Sequence, residues 1–191
     1  MRRVRPRPRK AFLSLQFAPG ECLQVDWGSW GPIAVGATRR QLAFFVGGLG
    51  SSRRLYVEFT LGQSQELFLR CHENAFRFFK GVPARVMVDN CKTAVLSHPL
   101  GQPAVFNPRY LDFASHCGFE IRACGVRQAH EKGRVENAVK YIKENFLRGL
   151  ERPSWAALNP AARHWLETIA NVRLHGQTHQ TPLERFAQEQ R

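Results

Sequence analysis

An α/β domain built on a five-stranded mixed sheet flanked by helices is the architecture that this 191-residue sequence predicts. Three observations predict it. Apolar residues make up 43% of the chain, enough for one core of ordinary size. Three strand-like segments follow one another near the start, and beyond them helices and strands alternate. Helices that join parallel strands must lie on the faces of the sheet, which sets the layers.

The chain opens with MRRVRPRPRK, six basic residues in ten positions with Pro6 and Pro8 set among the arginines. Proline at alternate positions denies a helix its hydrogen bonds, so residues 1–17 read as an extended basic arm or linker: a solubilising tail, or a grip on phosphates. From Cys22 the apolar period becomes two, and CLQVDW, QLAFFVGGLG and RRLYVEFT are three consecutive strands separated by glycine-rich turns such as GSWGP and GSS. In SQELFLRCHENAFRFFKG, Leu67, Cys71, Ala75 and Phe78 or Phe79 recur at spacings of three and four, an amphipathic helix stopped by Gly81 and Pro83. ARVMVDN is a short apolar strand. NPRYLDFASHCG is a helix with Asn107 as cap, Pro108 in its first position and Gly118 past its end.

FEIRACG is a fifth strand, and GRVENAVKYIKENFLRGL a long helix. ERPSWAALNP then breaks the pattern, AARHWLETIANVRL forms a further helix, and HGQTHQTPLERF returns to loop and a short helix. Residues 18–150 are therefore the core, and residues 151–191 a helical extension that packs outside it or leads into a further domain. No internal repeat is present. The order of three strands, helix, strand, helix, strand, helix is the layout of an RNase H-like core.

Lysine and arginine total 28 against 15 acids, a net charge of +13, which points to a polyanionic partner with nucleic acid first. No stretch approaches the roughly 18 to 20 apolar residues of a membrane-spanning helix, so the chain reads as soluble, without a membrane partner. Cys22, Cys71, Cys91, Cys117 and Cys124 are odd in number and scattered, and no secretory segment precedes them, which fits a reducing cytoplasm. His116, Cys117, Cys124 and His130 carry zinc-binding atoms without zinc-binding spacing.

Two strands end in an aspartate that follows a valine, Asp26 in QVDWG and Asp89 in RVMVDN. A carboxylate left desolvated and alone costs several kcal/mol, so each must be paired, hydrogen-bonded or bound to a cation. If the two strands are neighbours in an open sheet, the carboxylates meet at its functional edge, where a hard divalent ion, Mg²⁺ above all, suits them. A third acid fits on the long helix: at about 100° per residue, Glu136, Lys140 and Lys143 fall within about 80° of one another, beside the apolar stripe of Val135, Val139, Ile142 and Phe146. Each acid alone has an ordinary reading, as a turn residue, a cap or a solvated helical pair. In this order and in a chain of this charge, the three read as a metal-dependent phosphodiester site. Asn90 either orients the Asp89 carboxylate or forms a turn, the turn being favoured, and Trp27 reads as a core or sheet-edge aromatic in preference to a base-stacking one. His130, Lys132 and Arg134 in QAHEKGR are either phosphate contacts in a segment that orders on DNA or a plain surface loop.

The blocks QVDWG, RVMVDNCKTAV, FNPRYLDFASHCGFEIRACGVRQAHEKGRVENAVKYIKENFL and HGQTHQTPLERF resemble the catalytic domain of bacterial insertion-sequence transposases of the IstA type, members of the DDE integrase superfamily. The resemblance covers roughly residues 18 to 187. It implies that Asp26, Asp89 and Glu136 are at once the catalytic triad and the ligands of two Mg²⁺ or Mn²⁺ ions, Asp26 bridging both, and that strand cleavage and strand transfer occur at one site. Lys140 and Lys143 match lysines that touch the DNA end in retroviral integrases. The gap from Asp89 to Glu136 is longer than in those integrases, and PAVFNPRY and GVRQAHEKG take up the extra length. Implied partners are DNA, as transposon ends and target, a second copy of the chain to join two ends, and an ATP-binding helper protein, in a bacterial cytoplasm and on the nucleoid. Relatives of this type carry a helix-turn-helix region for which the 25 residues before Asp26 leave no space. The competing readings are therefore a truncated, non-catalytic DNA-binding fragment and a structure-specific nuclease.

Overall fold

The computed structural model describes residues 16–89, 91–124, 129–150 and 154–189, the side chains of 129–135 excepted. Strand β1 (Cys22–Val35) turns at Gly36 and Ala37 into β2 (Thr38–Leu49), and β2 turns through Gly50 to Arg53 into β3 (Leu55–Thr60). Both pairings are antiparallel. Helix α1 (Gln65–Phe79) leads to β4 (Arg85–Val88), and a small ribbon of β5 (Val95–Ser97) and β6 (Val105–Phe106) follows. Helix α2 (Pro108–Cys117), β7 (Glu120–Ala123), α3 (Ala129–Asn145), α4 (Trp155–Trp165) and α5 (Pro182–Phe186) complete the chain. The main sheet has five strands in the order β3-β2-β1-β4-β7, with β4 parallel to β1 and β7 parallel to β4. This is the five-stranded mixed sheet expected from the sequence, and the β5–β6 ribbon is an addition to it.

GSWGP is not the first turn. β1 runs through it with a shift of register between Ser29 and Pro32, and pairing with β2 resumes beyond. Pro32 has no N–H to give the ladder, so the irregularity falls where the ladder would lose a bond in any case. The turn lies four residues later at Gly36, whose φ of 57° a side chain would resist.

Side chains alternate across the sheet and split the core in two. Leu23 and Val25 of β1, Phe45 of β2, and Val86 and Val88 of β4 pack against α1 and α2. Phe44 and Val46 of β2 and Phe59 of β3 pack on the other face against Ala138, Ile142 and Phe146 of α3. Helix α1 begins at Ser64, whose side chain accepts from the Leu67 N–H, and buries Phe68, Cys71, His72, Ala75, Phe76 and Phe79. Its cap is Lys80 in the left-handed region, with Gly81 next. Helix α2 has the expected Asn107 cap, Pro108 start and Gly118 end. His72 is enclosed by aromatic rings: its Nδ1–H donates to the Phe68 carbonyl at 2.8 Å, and the Tyr110 hydroxyl donates to its Nε2 at 3.1 Å. Burial lowers its pKa from 6.5 to about 4.

The C-terminal segment packs on both faces of the core, with Phe186 of α5 against Phe79 of α1 and the residues of α4 on the second face. Leu158, Ala162, Trp165, Leu166 and Ala170 join the cluster built on Phe44 and Phe59. Helix α4 starts at Trp155 with Ser154 as its cap, six residues before the expected helix, and includes Pro160, which forgoes one helical hydrogen bond. Two asparagines then close the open edge of the sheet. Asn159 receives the Phe59 N–H at 2.8 Å and donates to the Phe59 carbonyl at 3.0 Å. Asn171 does the same for Leu55, at 2.8 and 3.0 Å. Among the described residues, no helix is long and apolar enough to cross a membrane.

Two outcomes follow from this packing. Asn171→Ala strands the buried N–H and C=O of Leu55 and should cost about 2 to 4 kcal/mol in urea unfolding; Asn171→Asp, which cannot donate to the carbonyl, should not rescue it. Because the folded pKa of His72 lies below its ordinary value, the unfolded chain takes up the proton first. The contribution of His72 is thus complete above pH 6.5 and is lost as the pH falls toward about 4, by roughly 3 kcal/mol in total. Unfolding measured across that window should show a flatter profile for His72→Phe, and equal slopes would rule out this assignment.

Candidate active site

Asp26 does not end its strand, because pairing with β2 carries β1 on to Val35; register is what sets it near Asp89. β1 and β4 are paired from Cys22↔Arg85 to Val25↔Val88, so Asp26 and Asp89 are the next residues on two adjacent strands, which run about 4.8 Å apart. Alternation sets their face. Val25 and Val88 point into the core under α1, whereas Gln24 and Met87 point the other way, with Gln24 Nε2 3.3 Å from Met87 Sδ. Asp26 and Asp89 each follow by two residues, which places both on the side covered by α3.

Asp26 is half-buried, and its Oδ1 accepts from the Trp27 N–H at 2.8 Å. Cys91 supplies an independent marker of the pair. Its N–H donates to the Asp89 carbonyl at 2.7 Å; burial pushes its thiol pKa up, and the charges of both Asp26 and Asp89 add to the rise. One sulfur thus feels both carboxylates.

The residues that follow Asp26 explain the rest of QVDWG. Trp27 returns to the core, its ring 5.8 Å from Phe45 and 6.1 Å from Phe68, so the core reading of this tryptophan holds. Gly28 pairs with Phe44, whose ring lies over it and fills the space that a Cβ would need. The glycine after the acid is therefore a packing requirement of the α3 face.

Helix α3 rests on the sheet through Ala138, Ile142 and Phe146 and leaves Glu136 and Lys140 exposed and Lys143 half-exposed. With Trp30, Val139, Glu144 and Arg148 they line an open cleft of about 330 Å³. Lys140 Nζ is 3.9 Å from Glu144. The face read from the helical spacing is thus open to solvent, and Trp30 and Arg148 join it. GSWGP had been read as a turn, and Arg148 sits in a 3₁₀ turn, Leu147–Gly149, where the long helix was expected to continue.

Register sets Asp26 and Asp89 next to paired residues of neighbouring strands. Among the described residues no three His, Cys, Asp or Glu side chains are grouped as a metal site, and Glu136 lines the cleft with Trp30. Helix α3 begins at Ala129, so His130, Lys132 and Arg134, expected in a loop, occupy its first turns. Their side chains, Asn90 and most of the basic arm lie outside the described residues. The β5–β6 ribbon and α2 take up part of the long interval between Asp89 and Glu136.

No family model matches the chain. It is 39% identical over 185 residues to the transposase of insertion sequence element IS21 from Pseudomonas aeruginosa, covering 96% of this chain and 47% of that protein. To the transposase of IS640 from Shigella sonnei it is 37% identical over 180 residues, covering 94% of this chain and 56% of that protein. The chain spans about half the length of these curated relatives. Among solved structures, the catalytic core domain of BIV integrase matches with a TM-score of 0.63 at 13% identity, over 90% of this chain and 96% of that one. The HTLV-2 integrase catalytic core domain in complex with magnesium matches with a TM-score of 0.60 at 15% identity, over 91% of this chain and 99% of that one. The fold is that of these cores.

The Gly28–Phe44 contact yields a direct test. Gly28→Ala should displace the Phe44 ring and destabilise the protein by about 1 to 3 kcal/mol in urea unfolding, the usual range for an overpacked core. Unchanged stability would show that the ring has room to yield.

Proposed function

As a homologue, over more than nine-tenths of its length, of the insertion-sequence transposases and with the fold of an integrase catalytic core, the chain meets a premise on which we propose a specific chemistry. It is the catalytic domain of a DDE transposase that cleaves a DNA strand and transfers the end to target DNA. The single observation that carries this reading is the parallel register that sets Asp26 beside Asp89 on the α3 face.

That pair fits a divalent metal: two carboxylates offer hard oxygen donors on one face, beside a helix that carries a third. Asp26, Asp89 and Glu136 would hold two Mg²⁺ or Mn²⁺ ions. Such ions, when bound, polarise the phosphodiester and stabilise charge on the attacking and leaving oxygens. The remaining work falls to side chains. Glu136, in the first half of α3, would complete the set from the helix. Lys140 and Lys143, on the same face of that helix, hold the phosphate backbone in line, with His130, Lys132 and Arg134 about two to three turns earlier. Water attacks phosphorus first and releases a 3′-hydroxyl; that hydroxyl then attacks a target phosphate and expels the target strand's 3′ oxygen. Two ends must be joined, so at least two copies assemble on DNA, with an ATP-binding helper protein as a further partner. Residues 1–17 serve as the basic arm, 18–150 as the catalytic core and 151–191 as its C-terminal extension.

The position of Glu136 in its own cleft favours one alternative, a fragment that binds DNA without cutting it. Plasmid nicking in Mg²⁺ or Mn²⁺ separates the two. Asp26→Asn, Asp89→Asn and Glu136→Gln should each lose about a hundredfold or more in rate, the scale on which one electrostatic stabiliser of a transition state registers. In parallel, Mg²⁺ at about ten times its dissociation constant should raise the melting temperature of the wild-type chain by about 3 °C and leave Asp89→Asn unmoved. Steeply salt-dependent DNA binding, with nicking equal in all four proteins, would select the non-catalytic alternative.

A further inference from the structure

We propose that the cleft between β1 and α3 seats one unpaired nucleotide of the DNA strand, with Trp30 as the surface on which its base stacks. The inference rests on the DNA reading above and gives a role to Trp30, Val139 and Arg148, which that reading does not use.

Trp30 is 38% exposed, more open than Trp27, Trp155 or Trp165, which are half-buried or buried. An indole left in solvent on a protein of charge +13 has not been placed there by core packing. Its backbone is held: Trp30 lies at the irregular register of β1, and its carbonyl accepts from Gln41 Nε2 of β2. Strand and bulge present the ring as a fixed platform, with little ordering left for a ligand to impose. Val139 adds an apolar wall to the same cleft.

The rim has the complementary chemistry. Lys140, Lys143 and Arg148 carry positive charge around the apolar floor, with Glu144 near Lys140 and Glu136 at the end toward the start of α3. An aromatic floor with a cationic rim matches a base with the phosphates on either side of it. About 330 Å³ lies at the small end of the range for ligand clefts, room for one base and sugar and not for a base pair. A base within a duplex already has both faces stacked, so a single projecting indole can take only a base that has left the stack. Sharing a cleft with Glu136 would place that nucleotide next to the proposed scissile phosphate, where separated strands make the backbone accessible.

The test uses a single-stranded oligonucleotide containing 2-aminopurine, titrated with the full chain in chelator so that no cleavage intervenes. Wild-type protein should quench the fluorophore on binding. Trp30→Ala should abolish the quench and weaken binding about tenfold, and Trp30→Phe, which keeps a ring, should restore most of both. Arg148→Ala should keep the quench and lower the dependence of log affinity on log salt by about one. Affinity for a blunt duplex should not change in Trp30→Ala. The proposal is overturned if Trp30→Ala quenches and binds like wild type, or if duplex and single strand weaken equally. If Trp30→Ala fails to fold, Trp30→Leu takes its place, since it keeps apolar surface without a π face and should also lose the quench. Asp89→Asn should quench normally, so a failure of the metal chemistry and a failure of the cleft show separately.

Discussion

The parallel pairing of β1 with β4 is the constraint on which the site depends. The first residues of β1 and the short apolar β4, from distant parts of the chain, align valine against valine, and an aspartate follows each valine. A slip of one residue would send one carboxylate into the aromatic core under α1 and bring a valine to the α3 face, so burial of Leu23, Val25, Val86 and Val88 enforces the register that chemistry needs. The cost of two carboxylates side by side is thus imposed by hydrophobic packing, and this is the arrangement that a cation relieves.

Helix α3 depends on the other face of the same sheet. Phe44, Val46 and Phe59 form the bed for Ala138, Ile142 and Phe146, and the helix then turns Glu136, Lys140 and Lys143 outward. Gly28 belongs to this bed as well, since the Phe44 ring occupies the place of its missing side chain. The same strand therefore supplies an acid, a core tryptophan, a packing glycine and an exposed tryptophan within five residues, each dictated by the face it meets.

The C-terminal segment completes the sheet. Strand β3 is an edge, and its outward N–H and C=O groups at Leu55 and Phe59 are taken by Asn171 and Asn159. An amide is suited to this because it donates and accepts at once, covering both groups of one residue. With Leu158, Trp165 and Leu166 filling the space between α3 and the sheet, the segment is as much a part of the core as the strands.

Local chemistry was legible from the sequence alone. The period of two in CLQVDW, the Asn107–Pro108 start and Gly118 end of α2, and the shared face of Glu136, Lys140 and Lys143 depend on neighbours within a few residues, and backbone geometry translates them directly. The two valine-aspartate steps likewise marked the acids, although β1 runs on past Asp26. What only the tertiary structure decided depends on partners far away in the chain. GSWGP has the composition of a turn, but long-range pairing with β2 carries β1 through it and turns Trp30 out to solvent. ERPSWAALNP looks like a break, yet Ser154 caps a helix there and the edge of β3 holds Asn159 in place. Where α3 carries Glu136 is set by how the helix settles on Phe44 and Phe59, a packing relation between faces that no local pattern encodes.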